Sequence, residues 1–329
     1  MLRTALSVAI GAALSLSAAA AELNPAVVYD LGGKNDGSFN QAAYTGAERF
    51  KDETGVGYRD FEIQNDAQRE QALRNFARKG FNPVVAIGFS HGSAVEKVAA
   101  EFPDTAFGIV DMVVDQPNVR SILFKEHEGS YLVGVLAGMA SESQKVGFVG
   151  GMDIPLIRRF ECGYKQGAAA AGVSDVYANM TGNTGAAWND PVKGGELTKS
   201  QIDRGADVVF QAAGGTGFGV LQTAADANIL GIGVDSNQNG LHPGKVLTSM
   251  LKRVDNAVYE AFSDYKNDEW STGFRVLGLA EGGVDWALDE NNQALITDEM
   301  RAAVETAKNN IINGNITVHD YMSDNSCPL

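Results

Sequence analysis

Histidine and cysteine are scarce in this 329-residue chain, four of the one and two of the other. Neither shows the paired spacing of a zinc site, so no metal and no other cofactor is expected. Positive charge is also short: 26 Lys and Arg stand against 41 Asp and Glu, a net charge of −15. Such a surface repels nucleic acid and anionic lipid, so neither is expected as a partner. After Ala21 no apolar run is long enough to span a bilayer. Nucleotide-phosphate motifs are missing too. The turn Gly215-Thr216-Gly217-Phe218-Gly219 lacks the spacing of a dinucleotide fingerprint, and no Walker lysine follows it.

What the chain does have begins at its first residues. Arg3 is the only charge before Glu22, and Thr4 to Ala21 is rich in Ala and Leu and ends in small residues. This is the pattern of a signal peptide over residues 1–21, with cleavage expected after Ala20 or Ala21. No cysteine lies there, so a lipid-anchored N-terminus is not expected, and the mature chain is expected free in a periplasm. In that oxidising compartment Cys162 and Cys327 could form one disulfide or remain two thiols; spacing alone leaves both open.

Short apolar runs alternate with longer amphipathic ones through the rest of the chain. Ala26–Tyr29, Val84–Ile87, Ala106–Val110, Val146–Val149, Val208–Gln211 and Leu230–Val234 read as buried parallel strands. Asn40–Thr54, Asp66–Lys79, Ser93–Phe102, Leu156–Ala171, Lys193–Arg204 and Val220–Ala227 read as helices. The alternation predicts an α/β fold of parallel sheets flanked by helices, and the length suits two domains.

An internal repeat supports the two domains. Gly80–Val85 aligns with Gly205–Phe210, and Gly92, Val95, Ala99 and Ala100 then fall on Gly217, Val220, Ala224 and Ala225. After a one-residue deletion, Gly108-Ile109-Val110-Asp111 falls on Ile232-Gly233-Val234-Asp235. Each copy reads strand, glycine turn, helix, strand, Asp. Ligands of open parallel sheets sit beyond the carboxyl ends of the strands. Asp30, Asp111 and Asp235, each directly after an apolar strand, are therefore expected at a cleft between two lobes.

Gly88-Phe89-Ser90-His91-Gly92 spells the nucleophile turn of α/β hydrolases, with Asp235 and His242, or a later acid with His319, available downstream. The repeat argues against an enzyme. Its equivalent turn, Ala213-Gly214-Gly215-Thr216-Gly217, carries no serine, whereas glycines such as Gly214 let backbone amides approach a ligand at a helix N-terminus. Further upstream, in Asp30–Gly46, Ser38 reads as a helix N-cap and Phe39 stands at the start of the helix.

That segment, with Asn35-Asp36-Gly37-Ser38-Phe39-Asn40-Gln41 at its centre, resembles the opening motif of the basic membrane protein family, the purine-nucleoside-receptor-like solute-binding proteins of ABC transporters. Gly147–Pro155, Trp188–Pro191 with Lys193-Gly194, Ala212–Gly217, Gly233–Gln238 and Thr248–Lys252 are similar to family segments in the same order. The resemblance implies a periplasmic-binding-protein type 1 fold that captures a nucleoside for a permease, as a monomer and without catalysis. It implies that Phe39 stacks on the base, that Trp188 faces its other side, that Asp235 and Lys252 hold the ribose, and that Asp30 and Asp111 meet the base edge. Asn40 and Gly214 lie within matched motifs and join the expected ligand contacts. Leu31 departs from a polar position and leaves the base open; another heterocycle, a sugar or a signalling solute stays possible. The expected lobes are 22–124 with 252–272, and 126–247 with 274–329, joined by three crossings.

Overall fold

The computed structural model describes residues 23–329, so the expected signal segment lies outside the described residues. Twelve strands run as Ala26–Tyr29 (β1), Arg59–Glu62 (β2), Val84–Ala86 (β3), Phe107–Val110 (β4), Val119–Phe124 (β5), Lys145–Met152 (β6), Asp175–Gly182 (β7), Val208–Ala212 (β8), Leu230–Asp235 (β9), Val246–Lys252 (β10), Gly273–Leu277 (β11) and Val284–Trp286 (β12). They form two six-stranded sheets, ordered β11-β5-β4-β3-β1-β2 and β12-β10-β9-β8-β6-β7. Every pairing is parallel except β10 with β12. The two sheets repeat one strand order, the architecture that the sequence repeat predicts.

The helices are Phe39–Thr54 (α1), Gln68–Arg78 (α2), Gly92–Glu101 (α3), Glu126–Ala140 (α4), Pro155–Ala170 (α5), Pro191–Asp203 (α6), Gly217–Asp226 (α7), Val254–Lys266 (α8), Asp298–Ile312 (α9) and the short Tyr321–Asp324 (α10). In the first lobe α1 packs with α8 and α2 with α3; in the second, α4 packs with α5 and α9, and α6 with α7. The central strands are covered on both faces. Val27 and Tyr29 point into one core while Ala26 and Val28 point into another, so apolar residues fill consecutive positions.

Three segments cross between the lobes: after β5 at Lys125, after β10 at Arg253, and after β11 at Gly278. Two are laced to neighbouring chain by the backbone, Lys125 N donating to Leu277 O at 2.9 Å and Arg253 N to Gly283 O at 2.8 Å. Two boundaries differ from expectation. Lys252 ends a strand of the second sheet, whereas it was placed in the first lobe. Residues from Phe274 were assigned to the second lobe, but β11 pairs with β5 in the first sheet, Phe274 opposite Ser121. The cause lies far away in sequence. Buried Arg120 on β5 binds Asp264 and the Ser271 carbonyl, each at 2.8 Å, and stacks on Trp270, pinning this segment before the chain crosses.

Cys162 and Cys327 are joined as a disulfide, which ties the C-terminal tail to α5. The same helix meets α4 through glycines. A Cβ at Gly167 would lie 2.0 Å from the Tyr131 carbonyl oxygen, and one at Gly134 would lie 2.3 Å from the Tyr164 carbonyl. No side-chain rotation relieves a clash with backbone. Gly167→Ala is therefore expected to cost about 1–3 kcal/mol by forcing the helices apart. A thermal melt should show a Tm lower by several degrees, and an unchanged Tm would mean that the helix contact is looser than described.

Candidate functional site

The carboxyl ends of both sheets face one another across a cavity whose space, open solvent at its mouth included, is about 640 Å³. The structure brings all eight residues expected at the ligand to its wall: Asp30, Phe39, Asn40 and Asp111 from the first lobe, and Trp188, Gly214, Asp235 and Lys252 from the second sheet's side.

The repeat is explicit in the backbone here. Asp111 follows β4 at φ 68° and Asp235 ends β9 at φ 62°, both in the left-handed region. Asp tolerates that conformation better than most residues. The kink stops the strand and turns each carboxylate into the cleft. Lys252 ends β10 beside Asp235, its neighbour Leu251 pairing with Asp235 across the ladder.

Lys252 is the centre of the polar end. Its side chain is only 2 % exposed, with Nζ 2.7 Å from Asp111 Oδ2 and 2.9 Å from Glu126 Oε1. Three rings surround the same ammonium, those of Phe39 and Phe124 at 5.1 Å and Phe160 at 5.7 Å. Burial works against its charge, but Asp111, Glu126 and Asp235 outweigh burial and hold Lys252 above its ordinary value. One ammonium cannot fully compensate three buried carboxylates. Burial pushes Asp235 up to about 7 and Asp111 up to about 6. For Glu126 burial acts upward as well, yet Lys252 and Arg159 overcome it and keep its carboxyl below the usual range.

The first lobe reaches Asp235 through a helix start. Asp36, rather than Ser38, caps α1: its carboxylate accepts from the backbone N–H groups of Ser38, Asn40 and Gln41 at 2.8–3.0 Å. Ser38 forms no cap with its side chain. Its hydroxyl instead donates across the cleft to Asp235 Oδ2. Two further bonds join the same turn to the second lobe, Ser236 Oγ to Ser38 O and Gln238 Nε2 to Gly37 O, both at 2.9 Å. The lobes are closed on each other.

Asn40 lines the cavity but spends most of its capacity on the scaffold. Its Oδ1 accepts from Asp30 N at 2.9 Å, and its Nδ2 donates to Asp36 Oδ2 at 3.0 Å. Asp30 is partly committed as well, since Oδ1 accepts from Arg69 and from Leu31 N, each at 2.7 Å. Its Oδ2 lies against Gly88, where a Cβ would come within 2.5 Å. Trp188 ends the short turn Gly185–Trp188 and lies over Gly151, where a Cβ would stand 2.2 Å from its ring. Gly214, at φ 57°, backs onto Trp188 and opens the turn that leads into α7.

The structure does not assemble the hydrolase arrangement. Among the described residues no hydrogen bond joins Ser90 to a histidine. His91 is turned into the core, where burial pushes its pKa down to about 3. Asp235 is bonded to Ser38, and His319 lies against Asp324. Sequence reasoning missed Phe89, Glu126, Phe124 and Phe160. Phe89 stands inside the same glycine turn and was masked by the serine beside it. Glu126 is the second residue past β5, behind Lys125, so a search for an acid directly after an apolar strand passes over it.

The buried carboxylate makes a pH test possible. Asp235 is raised from its unfolded value of 3.8 to about 7, so between these pH values the native protein holds a proton that the unfolded chain releases. Its contribution to stability is present at low pH and is lost as pH rises through about 7. Asp235→Asn cannot titrate. Melts at pH 5 and pH 8 should show the variant gaining on the parent by several degrees at the alkaline end; a gap independent of pH would contradict the raised pKa.

Comparison with known proteins follows the same lines. The family model described as ABC transporter substrate-binding protein PnrA-like matches residues 24–321. The chain is 35 % identical over 320 residues to the ABC transporter nucleoside-binding protein BmpA of Lactococcus lactis, covering 90 % of this chain and 89 % of that one. It is 27 % identical over 296 residues to basic membrane protein A2 of Borrelia garinii, covering 86 % and 85 %. Among solved structures, an ABC transporter solute-binding protein from Aeropyrum pernix superposes with a TM-score of 0.82 at 28 % identity, over 91 % of this chain and 94 % of the other. With two parallel sheets closing on one cavity, the chain belongs to the Bmp family of PnrA-like ABC transporter substrate-binding proteins.

Proposed function

We propose that this protein captures a purine nucleoside in the periplasm by closing its lobes, and passes it to an ABC permease. The observation that carries this reading is the division of one cavity into two chemistries. On one side stand Asp235, the ammonium of Lys252 and Asp111, which was expected at the base edge but pairs with Lys252; Phe39 lies 5.1 Å from that ammonium, and Phe89, Leu31 and Trp188 form the wall shared with the space outside. A flat base fits the aromatic end, where its faces become apolar contact. A ribose fits the polar end. Vicinal hydroxyls donate to a carboxylate and accept from an ammonium. Asp111 Oδ1 is buried without a protein partner, so a ligand hydroxyl there satisfies an acceptor that closure otherwise strands. Asp30 Oδ2 is the remaining acceptor for a base edge. Asn40 acts by holding Asp30 and Asp36 in place, and Gly214 by giving Trp188 room. The nucleoside-binding relative supports the same ligand class.

Closure follows from differential contact. A ligand touching both lobes is held fully only in the closed state and shifts the population towards it. No bond needs to be made or broken in such a cycle.

The ligand class is tested by thermal shift with inosine, guanosine and adenosine against free sugars and other heterocycles. A nucleoside at 100 times its Kd stabilises by about 2.7 kcal/mol, which is read as a rise of several degrees. If all three nucleosides fail while another solute succeeds, the ligand class is wrong. Asp235→Ala removes a buried carboxyl hydrogen-bond partner and is expected to weaken nucleoside binding by about thirtyfold, or roughly 2 kcal/mol. Calorimetry showing unaltered affinity takes Asp235 out of the site.

A further inference from the structure

The cavity does not end at Trp188. Beyond it lies an outer groove between the lobes, about 1390 Å³ with the solvent it holds, and the two share Asp30, Leu31, Phe89 and Trp188 as common walls. The far end of the inner cavity is closed by buried Lys252 and its two carboxylate partners, so the aromatic end is where the two spaces meet. The partition there is thin. Leu31 leans across the cleft onto Gly185, where an added Cβ would lie 2.9 Å from Leu31 Cδ1. Of the four shared walls, Leu31 is a flexible aliphatic side chain on the first lobe that rests on a residue without a side chain on the second.

We infer that Leu31 is a specificity gate that sets how far a ligand extends from the ring edge, and that the outer groove is a second compartment suited to a neutral or cationic substituent on that edge. This rests on the nucleoside reading, which puts the ribose at Asp235 and Lys252 and a base edge at Asp30, next to Leu31; the inference adds that this edge is the six-position of a purine. The sign of the groove follows from its charges. Four carboxylates, on Asp30, Asp66, Glu70 and Glu96, line it with two cations, Arg69 and Lys97, while Arg74 binds Glu70 from outside the lining at 2.6 Å and is itself shared with Glu101. Both cations are already paired: Arg69 with Asp30 and Asp66, at 2.7 and 2.8 Å, and Lys97 with Glu70 at 3.0 Å. An anionic extension finds no unpaired cation on this wall and meets surplus negative charge. A neutral one finds the faces of Phe89 and Trp188.

The leucine is a steric element rather than a hydrogen-bonding one, so its effect is graded by size. Removing its branched end merges the two spaces. Shortening it by one carbon, as in Leu31→Val, merges them in part.

The test measures Kd for adenosine, N6-benzyladenosine and N6-(4-carboxybenzyl)adenosine with the full chain, Leu31→Val and Leu31→Ala. The quantity read is the ratio of Kd for the benzyl compound to Kd for adenosine in each protein. It should fall from parent to Val to Ala, by at least tenfold overall, while the carboxybenzyl compound binds at least tenfold more weakly than the benzyl one in Leu31→Ala. Should one variant fail to fold, the other still reports the direction. A ratio that stays the same while adenosine binds the parent overturns the gate and leaves the nucleoside reading standing. Equal binding of the benzyl and carboxybenzyl compounds overturns the charge of the groove. Absence of adenosine binding by the parent, with inosine and guanosine also failing, removes the nucleoside reading and the gate with it.

Discussion

The arrangement depends on one buried ammonium. Lys252 comes from the second sheet, Asp111 from the end of a first-sheet strand, and Glu126 from the helix that starts at a crossing. An uncompensated charge at such depth costs several kcal/mol, so each partner requires the others to be in place. The cluster continues outward. Arg159 binds Glu126 at 3.0 Å and Asp320 through two contacts at 2.8 Å, and the tail carrying Asp320 is tied back by the Cys162–Cys327 disulfide. A charge in contact with the cavity is thus held by a chain of partners that reaches the C-terminal tail. Burial lifts Asp235 and Asp111 towards neutrality, because the single ammonium of Lys252 offsets it only in part while Arg159 serves Glu126.

How far this could be read in the sequence depended on distance along the chain. Buried strands with unbroken apolar runs were legible, and β1, β3, β4, β8 and β9 lie within a residue or two of where they were expected; β5 and β10, equally buried, were not read as strands because Arg120 and Ser121, and Thr248 and Ser249, interrupt their apolar runs. Edge strands were not. Residues of β2 alternate between exposed and half-buried, and β7 is half-buried along most of its length, so neither shows an uninterrupted apolar run. The repeat located Asp111 and Asp235 because a strand end is a local event, and their matching positive φ angles are its structural form. The role of Ser38 was hidden, since its hydroxyl partner lies 197 residues away and a better cap, Asp36, stands two residues before it. The lobe boundary at β11 failed for the same reason: the contact with Arg120 that decides it spans 151 residues.

Closure involves contacts that do not need a ligand. The Gly37–Ser38 turn is held by Asp235, Ser236 and Gln238 of the other lobe. Individually such bonds contribute on the order of 1 kcal/mol net, comparable to the cost of ordering the side chains that make them. On the proposed reading, a ligand that also satisfies Asp111 Oδ1 adds enough to draw an open form into this closed one. The polar end therefore has two functions that compete for the same atoms: it binds the two lobes together, and it offers acceptors to whatever they enclose.

On the proposed reading, the Ser38–Asp235 contact also governs time. A molecule seated between the two strand-end aspartates is covered from both lobes, so its escape cannot run faster than the parting of that contact and its two neighbours. Residence in the cavity is then a property of the clasp as much as of the occupant. A receiver that pulls the Gly37–Ser38 turn away from the second lobe would release the cargo without having to compete for it.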